Sequence, residues 1–460
     1  MKWGFFLLQQ GLRVLLGGTL LVAAPLALLT AWGRRQWLHE WQNSGTARPK
    51  GNPWIAFEVS SEGELEQVRP LLEYFVAQIK QYNVQSTHPR YLELVFASPS
   101  VEKKALACGA QFKEEVFVAR LPLLSWGWKW LGRQNLAVAL QAPNIFFCRY
   151  DFYPHLLTWA MQKNHRAFLL SATLKNKLNG RGSRWYAQQL MHIFQHVVFA
   201  TDEAERWKTI GLKDDAVTVY DFRHGQIGQR LAHAESTLND KAFYGPFREY
   251  LATWPRENRV IMGSAWPPEI AALKNTAAQE ALQNKAWQLT IAPHQLKPAA
   301  VQELASLAEK MSGIKPVIIT PDLKQEEVRR LLENRPSMIL LTVPGILCEL
   351  YRDFGHAVVG GGFGRSVHSL LEPYWANGMI YCGPKVFRST EYDFVVQNSP
   401  RWIKLLTDAS DFYPSYLATS SAFSLWPQEK EARHQKQQAA QEKFLLLANN
   451  LLQSLQAPTA

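Results

Sequence analysis

The sequence predicts an α/β chain of two consecutive doubly wound domains behind an N-terminal membrane helix. Three observations carry this. Short unbroken apolar runs alternate with segments rich in Gln, Ala and Leu, the signature of parallel strands buried on both faces with helices between them. The alternation comes in two arrays separated by a polar pause at "YLATWPREN", residues 250–258, and each array is long enough for its own sheet. Finally, the 19 residues from Val14 to Trp32 carry no charge, enough for about 28 Å of helix.

Taken in order, Lys2 and Arg13 precede the uncharged stretch, and Arg34, Arg35, Arg48 and Lys50 follow it. That pattern predicts an uncleaved anchor over residues 1–42 with the rest of the chain on the cytoplasmic side. A cleaved signal peptide is the alternative, because "LVAAPLA" offers small residues. Residues 43–53 read as a tether. The first array gives strands at "YLELVF", "NIFFCRY", "AFLLSA" and "HVVFA", and the second at "RVIMGSA", "WQLTIAP", "PVIIT", "SMILLTV" and "HAVVGGG". The expected domains are 54–255 and 256–427, with a terminal helix over 428–460 that packs back through Phe444 to Leu447.

Lys and Arg number 50 against 39 acidic residues, a net charge of +11. This balance suits an anionic membrane surface, an anionic substrate or nucleic acid. The four cysteines, Cys108, Cys148, Cys348 and Cys382, form no C-x-x-C pair, so neither a metal knuckle nor a disulfide framework is indicated. Tryptophan is abundant, at 17 residues, and "SWGWKWLGRQN" sets Trp126, Trp128 and Trp130 among Gly, Lys and Arg. Such a segment suits a loop lying on a membrane; a partly buried aromatic turn is the other reading.

Polar residues recur where strands end, which is where ligands bind in open parallel sheets. The second array has Ser264 in "VIMGSAWPPE", Pro293 and His294 in "TIAPHQL", Gly345 and Ile346 in "LTVPGIL", and Gly361, Gly362, His368, Ser369 and Glu372 in "GGGFGRSVHSLLE". If a helix begins near Ser366, His368 and Glu372 share one face. The glycines and amides there suit a phosphate, and the carboxylate suits ribose hydroxyls. The first array has Glu64 just after Gly63, Asp151 after a strand and Arg223 after another. A carboxylate facing a basic group across an inter-domain cleft suits acid–base transfer from an anionic donor. Glu64 and Glu66 also read simply as favourable first-turn carboxylates.

Nine segments in order resemble the Kdo transferases, lipopolysaccharide enzymes that move 3-deoxy-D-manno-oct-2-ulosonic acid (Kdo) from CMP-Kdo to a lipid A precursor. "WIAFEVSSEGELEQVRP" is similar to the family's W-I-H-x-x-S-x-G-E, and "FASPS" to S-P-S-G. "RYDFYPHLL" is similar to Y-E-F-W-x-x-x-L, and "ATDEAERWKTIG" with "YDFRHG" to the region of G-N-L-K-F-D. "GSAWPPE", "APHQL", "GGGFGRSVHSLLEP" and "YCGP" resemble G-S-T-W/H-P-x-E, A-P-R-H, G-G-G-F-G-x-G-I-H-N-x-L-E and V-x-F-G-P. Asp151 stands for the usual Glu, His294 for a frequent Arg and Ser369 for an Asn.

The resemblance implies a GT-B fold, two Rossmann-like domains facing a cleft behind an N-terminal membrane helix. It implies an inverting glycosyltransferase acting on lipid A precursor (lipid IVA), with Glu64 as general base and Asp151 and Arg223 stabilising the transition state. Ser264, Pro293, His294, Gly345, Ile346, Gly361, Gly362, His368, Ser369 and Glu372 would bind CMP-Kdo, a substrate; no cofactor and no metal are expected. The implied partners are CMP-Kdo, lipid A precursor and inner-membrane lipid, not nucleic acid, with a single-pass anchor in the cell inner membrane and cytoplasmic catalytic domains. Two alternatives remain open: a GT-B transferase using another nucleotide-sugar, and a non-catalytic, membrane-tethered protein of this fold.

Overall fold

A computed structural model describes the chain except residues 1, 32, 35–44, 122–138, 150, 151, 163, 164, 175–179, 388 and 457–460. Asp151 and the Trp126, Trp128 and Trp130 segment therefore lie outside the described residues. The chain forms two compact units, residues 1–226 with 441–460, and residues 227–440.

The first unit holds a seven-stranded parallel sheet in the order β3-β2-β1-β4-β5-β6-β7. Its strands are β1 (Asn52–Val59), β2 (Arg90–Phe96), β3 (Val116–Arg120), β4 (Asn144–Cys148), β5 (Arg166–Ala172), β6 (His196–Phe199) and β7 (Val217–Val219). The chain steps outward from β1 to β3, then returns to lay β4 against the other side of β1, pairing Ile55 with Asn144 and Glu58 with Phe147. The topological switch point is thus between β1 and β4, where open α/β sheets bind ligands. All five residues of β4 are buried, which explains its continuous apolar run. One face packs Phe57, Phe146 and Phe168 in a stacked row, with centroids 5.2 and 4.7 Å apart, beneath the helix Glu62–Gln85. The other face packs Ala56, Phe147 and Leu169 with Leu156 and Leu190 of the helices Pro154–Ala160 and Arg181–Met191.

The second unit repeats the plan with the order β10-β11-β9-β8-β12-β13-β14. Its strands are β8 (Arg259–Ala265), β9 (Gln288–Pro293), β10 (Val317–Ile319), β11 (Met338–Leu341), β12 (His356–Val359), β13 (Met379–Cys382) and β14 (Ile403–Leu405). Its switch point lies between β8 and β12, which pair from His356 with Val260 to Val359 with Gly263.

The units part at Gln226/Ile227 and not near residue 255. The pause at 250–258 is filled by the end of the helix Tyr244–Ala252 and a short 3-10 turn. The reason lies in packing: Leu238, Phe243, Tyr244, Phe247, Leu251 and Trp254 share a core with Ile261 and Ile339, so residues 227–255 belong to the second unit. The final helix, Trp426–Gln456, gives its residues up to 440 to the second unit and the remainder to the first. Phe444 and Leu447 enter the first unit's core, while Leu445 and Leu446 stay exposed.

The expected membrane helix is corrected. The helix that forms is Lys2–Ala27, and among the described residues no helix is long and apolar enough to cross a membrane. Gln9, Gln10 and Arg13 interrupt its apolar sequence. One of its faces is taken by protein: Phe5 is 1% exposed against Trp185 and Tyr186, and Gln9 is buried. Its other side exposes Trp3, Val14, Leu15, Val22 and Leu26.

Candidate functional site

In the first unit, Glu64 sits beyond the carboxyl end of β1, beside the switch point. It occupies the first turn of the helix Glu62–Gln85, whose cap Ser61 accepts from the Glu64 amide through its hydroxyl at 3.3 Å. The side chain turns inward: Glu64 is buried, and its Oε2 accepts from the Ser60 amide at 2.7 Å. Ser60 Oγ in turn donates to Glu58 Oε1 at 3.0 Å. Two buried carboxylates therefore share one serine beside Cys148, whose thiol is pushed well up by burial and then by Glu64 and Glu58. Glu66, equivalent to Glu64 by sequence, differs: it is ion-paired to Lys104. Glu58 was missed by sequence reasoning, although a lone carboxylate inside the apolar run "WIAFEV" was the available signal.

Arg223 follows β7 and grips Asp221, with Nε 2.9 and 3.0 Å from the two carboxylate oxygens. Burial alone would push the Asp221 carboxyl up, but the Arg223 guanidinium holds it below its usual value. One turn beyond Arg223, Gln226 donates to Glu66 Oε2 at 3.2 Å. The helices that carry Arg223 and Glu64 thus meet near their first turns.

In the second unit the ends of β8, β9 and β12 converge. Trp266 stacks on His294 with centroids 4.5 Å apart, and His294 stacks on His368 at 4.4 Å. The indole Nε1–H of Trp266 donates to His368 Nε2 at 3.1 Å. Burial pushes both imidazoles below the usual histidine range, and His294 adds to the effect at His368. Ser264 lies at the bulge that ends β8, in the left-handed region at φ 51°. Pro293 ends β9 and pairs with Ala265. Glu269, in the short helix after Trp266, is 1% exposed. Its Oε2 accepts from the Trp266 amide at 3.0 Å and its Oε1 from the Gly361 amide at 2.9 Å. Burial pushes its carboxyl up against the opposing pull of those amides.

The glycine run serves the chain's own packing. A Cβ on Gly360 would lie 2.0 Å from the Ser264 carbonyl oxygen, and one on Gly362 would lie 2.6 Å from the Gly383 amide. Gly361 adopts φ +87°, and its Cβ would meet Ser366 O at 2.4 Å. Gly263 makes room for the Tyr351 hydroxyl, at 1.9 Å from such a Cβ. No helix begins near Ser366: the helix is Leu371–Trp375, and His368 precedes it with its amide on Gly360 O. The shared-face expectation for His368 and Glu372 is corrected accordingly. Three amides of the expected phosphate seat already have carboxylate partners in the chain. The Gly361 amide is held by Glu269, and those of Leu370 and Leu371 by Glu391 Oε2 at 2.6 and 3.1 Å. Ser369 also turns to Glu391, at 3.1 Å.

Glu372 is paired with Arg230, whose Nη1 lies 4.0 Å from Glu372 Oε1. Arg230 also grips buried Glu349 through Nε and Nη2, both at 2.7 Å, and reaches Gly345 O at 3.2 Å. Gly345 needs its left-handed φ of +77°, and Ile346 beside it is buried. Arg230 was also missed; it lies more than a hundred residues from its partners and carries no local signal. If Glu372 meets the ribose hydroxyls of CMP, as the sequence resemblance implies, Glu372→Ala should weaken CMP binding by on the order of 1–3 kcal/mol, the usual cost of leaving such groups unpaired. Titration calorimetry with CMP checks this, and an unchanged dissociation constant would make Glu372 a structural partner of Arg230. Among the described residues, no group of three or more His, Cys, Asp or Glu is placed to hold a metal.

No family profile and no curated protein matches the chain. Among solved structures, it is similar to the C-terminal CMP-Kdo binding domain of WaaA from Acinetobacter baumannii, at 16% identity and TM-score 0.33, covering 46% of this chain and 98% of that one. It is similar to a glycosyltransferase from Rickettsia africae ESF-5, at 9% identity and TM-score 0.49, covering 88% and 98%. It is likewise similar to the UDP-GlcNAc 2-epimerase from Methanocaldococcus jannaschii, at 9% identity and TM-score 0.48, covering 80% and 92%.

Proposed function

We propose that this chain is an inverting glycosyltransferase that moves Kdo from CMP-Kdo to a lipid A precursor. The observation that carries this reading is placement at both switch points. Glu64 stands beside that of the first sheet, and Trp266, His294 and His368 are stacked at that of the second. In this reading Glu64 removes the proton of the acceptor hydroxyl as its oxygen bonds to the anomeric carbon of Kdo. The bond from that carbon to the phosphate oxygen breaks on the opposite face, and CMP leaves. Arg223 and Asp151 would stabilise the developing charge, and the second-unit residues together with Glu372 would hold CMP. The test is a transfer assay with CMP-Kdo and purified lipid A precursor; no Kdo-bearing product from folded protein overturns the reading.

One observation favours a second reading, a transferase of the same build with another nucleotide-sugar. Glu269 and Glu391 already occupy amides of the glycine turn and of the helix after it, so this donor seat is not a bare amide cradle. The same assay run with a panel of nucleotide-sugars separates the two.

The reading places the protein at the cytoplasmic face of the inner membrane. Contact would come from the exposed apolar side chains of the helix Lys2–Ala27 and from the Trp126, Trp128 and Trp130 segment, whose residues suit the headgroup layer. Purified protein is expected to float with anionic liposomes, and changing the three tryptophans to Ser should reduce the floated fraction. Flotation unaltered by those changes removes that segment from the contact.

A further inference from the structure

We propose that Trp266 is a positioning residue that locks His368 in the tautomer carrying its proton on Nδ1, and that this Nδ1–H meets a phosphoryl oxygen of a nucleoside monophosphate ester. The ligand half rests on the nucleotide-sugar reading above; the lock does not.

The argument starts from donor chemistry. An indole N–H can only donate. Because Trp266 Nε1 lies 3.1 Å from His368 Nε2 as a directed hydrogen bond, that nitrogen must present a lone pair. A neutral imidazole with a bare Nε2 carries its hydrogen on Nδ1. An imidazolium is excluded in this geometry, since it would set two N–H groups face to face. Burial and the parallel His294 ring 4.4 Å away act in the same direction, lowering the proton affinity of His368.

One carboxylate holds both ends of this bond in place. Glu269 binds the Trp266 amide through one oxygen and the Gly361 amide through the other. The His368 amide is fixed to Gly360 O, one residue away. The indole cannot swing aside either, because its face lies on His294. His368 Nδ1 has no protein partner among the described residues. Three backbone amides near it, those of Gly361, Leu370 and Leu371, are held by Glu269 and Glu391. A phosphoryl group arriving at the ends of β8 and β12 therefore finds a side-chain N–H whose orientation is set in advance, and such preorganised donors favour binding.

The test uses full-length protein labelled with 15N-histidine, and its Trp266→Phe variant, which keeps the ring stack but removes the indole N–H. The wild-type nitrogen spectrum near neutral pH should show His368 as the Nδ1–H tautomer. The variant should show a mixture of tautomers and bind CMP about five- to tenfold more weakly, the worth of one neutral hydrogen bond. A wild-type spectrum with His368 as Nε2–H or as imidazolium overturns the lock without any variant. So does a Trp266→Phe protein that keeps both the pure Nδ1–H tautomer and its CMP affinity. If the lock is present but wild-type protein binds no CMP, the nucleotide reading fails and the ligand half falls with it, while the lock stands.

Discussion

Glu64→Gln is expected to leave the protein folded and its CMP affinity unchanged while slowing transfer about 10²–10⁴-fold, the usual cost of losing a general base. The geometry makes Gln a clean probe. The Ser60 amide that donates to Glu64 Oε2 at 2.7 Å can donate equally to an amide oxygen. The helix cap formed by the Ser61 hydroxyl uses only the backbone of residue 64. What disappears is the ability to take up a proton. Steady-state kinetics of the purified variant beside wild type read the outcome, with calorimetry on CMP as the folding control. Near-normal turnover would remove Glu64 from the reaction and leave it as a helix-capping carboxylate.

Gly360→Ala is expected to cost about 3 kcal/mol of stability or more, at the upper end of overpacking penalties, and to abolish CMP binding. The added methyl would lie 2.0 Å from the Ser264 carbonyl oxygen and 2.7 Å from its carbon, and both are backbone atoms. Gly360 also donates to Gly263 O at 2.9 Å in line with the β8–β12 ladder, so neither strand end can yield without opening the switch point. Gly345→Ala is the companion measurement. It meets no atom within 4 Å but keeps φ at +77°, so it should cost only about 1–2 kcal/mol, the strain of a left-handed residue. Urea unfolding of both variants orders the two effects; equal losses would mean that the clash at Gly360 relaxes freely.

Much of the architecture was legible in the chain itself. Strands buried on both faces must be apolar without interruption, so "NIFFC" and "HAVV" announced β4 and β12 with no tertiary information. The residue types at strand ends were readable for the same reason: Ser264 and His294 are polar where a core strand would not be. A sequence can also display a helix start, and Glu64 lies in the first turn of one.

What the chain alone could not reveal is which backbone and side-chain groups meet across long stretches of sequence. The glycines at 360–362 have the same composition whether they face a phosphate or the chain's own carbonyls, and only the fold sets Ser264 and Gly383 against them. Glu269 and Glu391 look like ordinary helix-start carboxylates until the fold aims them at the amides of another loop. Arg230 finds Glu349 and Glu372 across more than a hundred residues. The boundary at 226/227 came from core packing that outweighs local polarity. Local composition determines which segments become strands and helices, because the period of apolar residues is a local property. Partners in a buried polar network are decided by tertiary structure alone. Each buried donor or acceptor must find its complement wherever the topology brings the chain together, and no short window of sequence holds both halves of the pair.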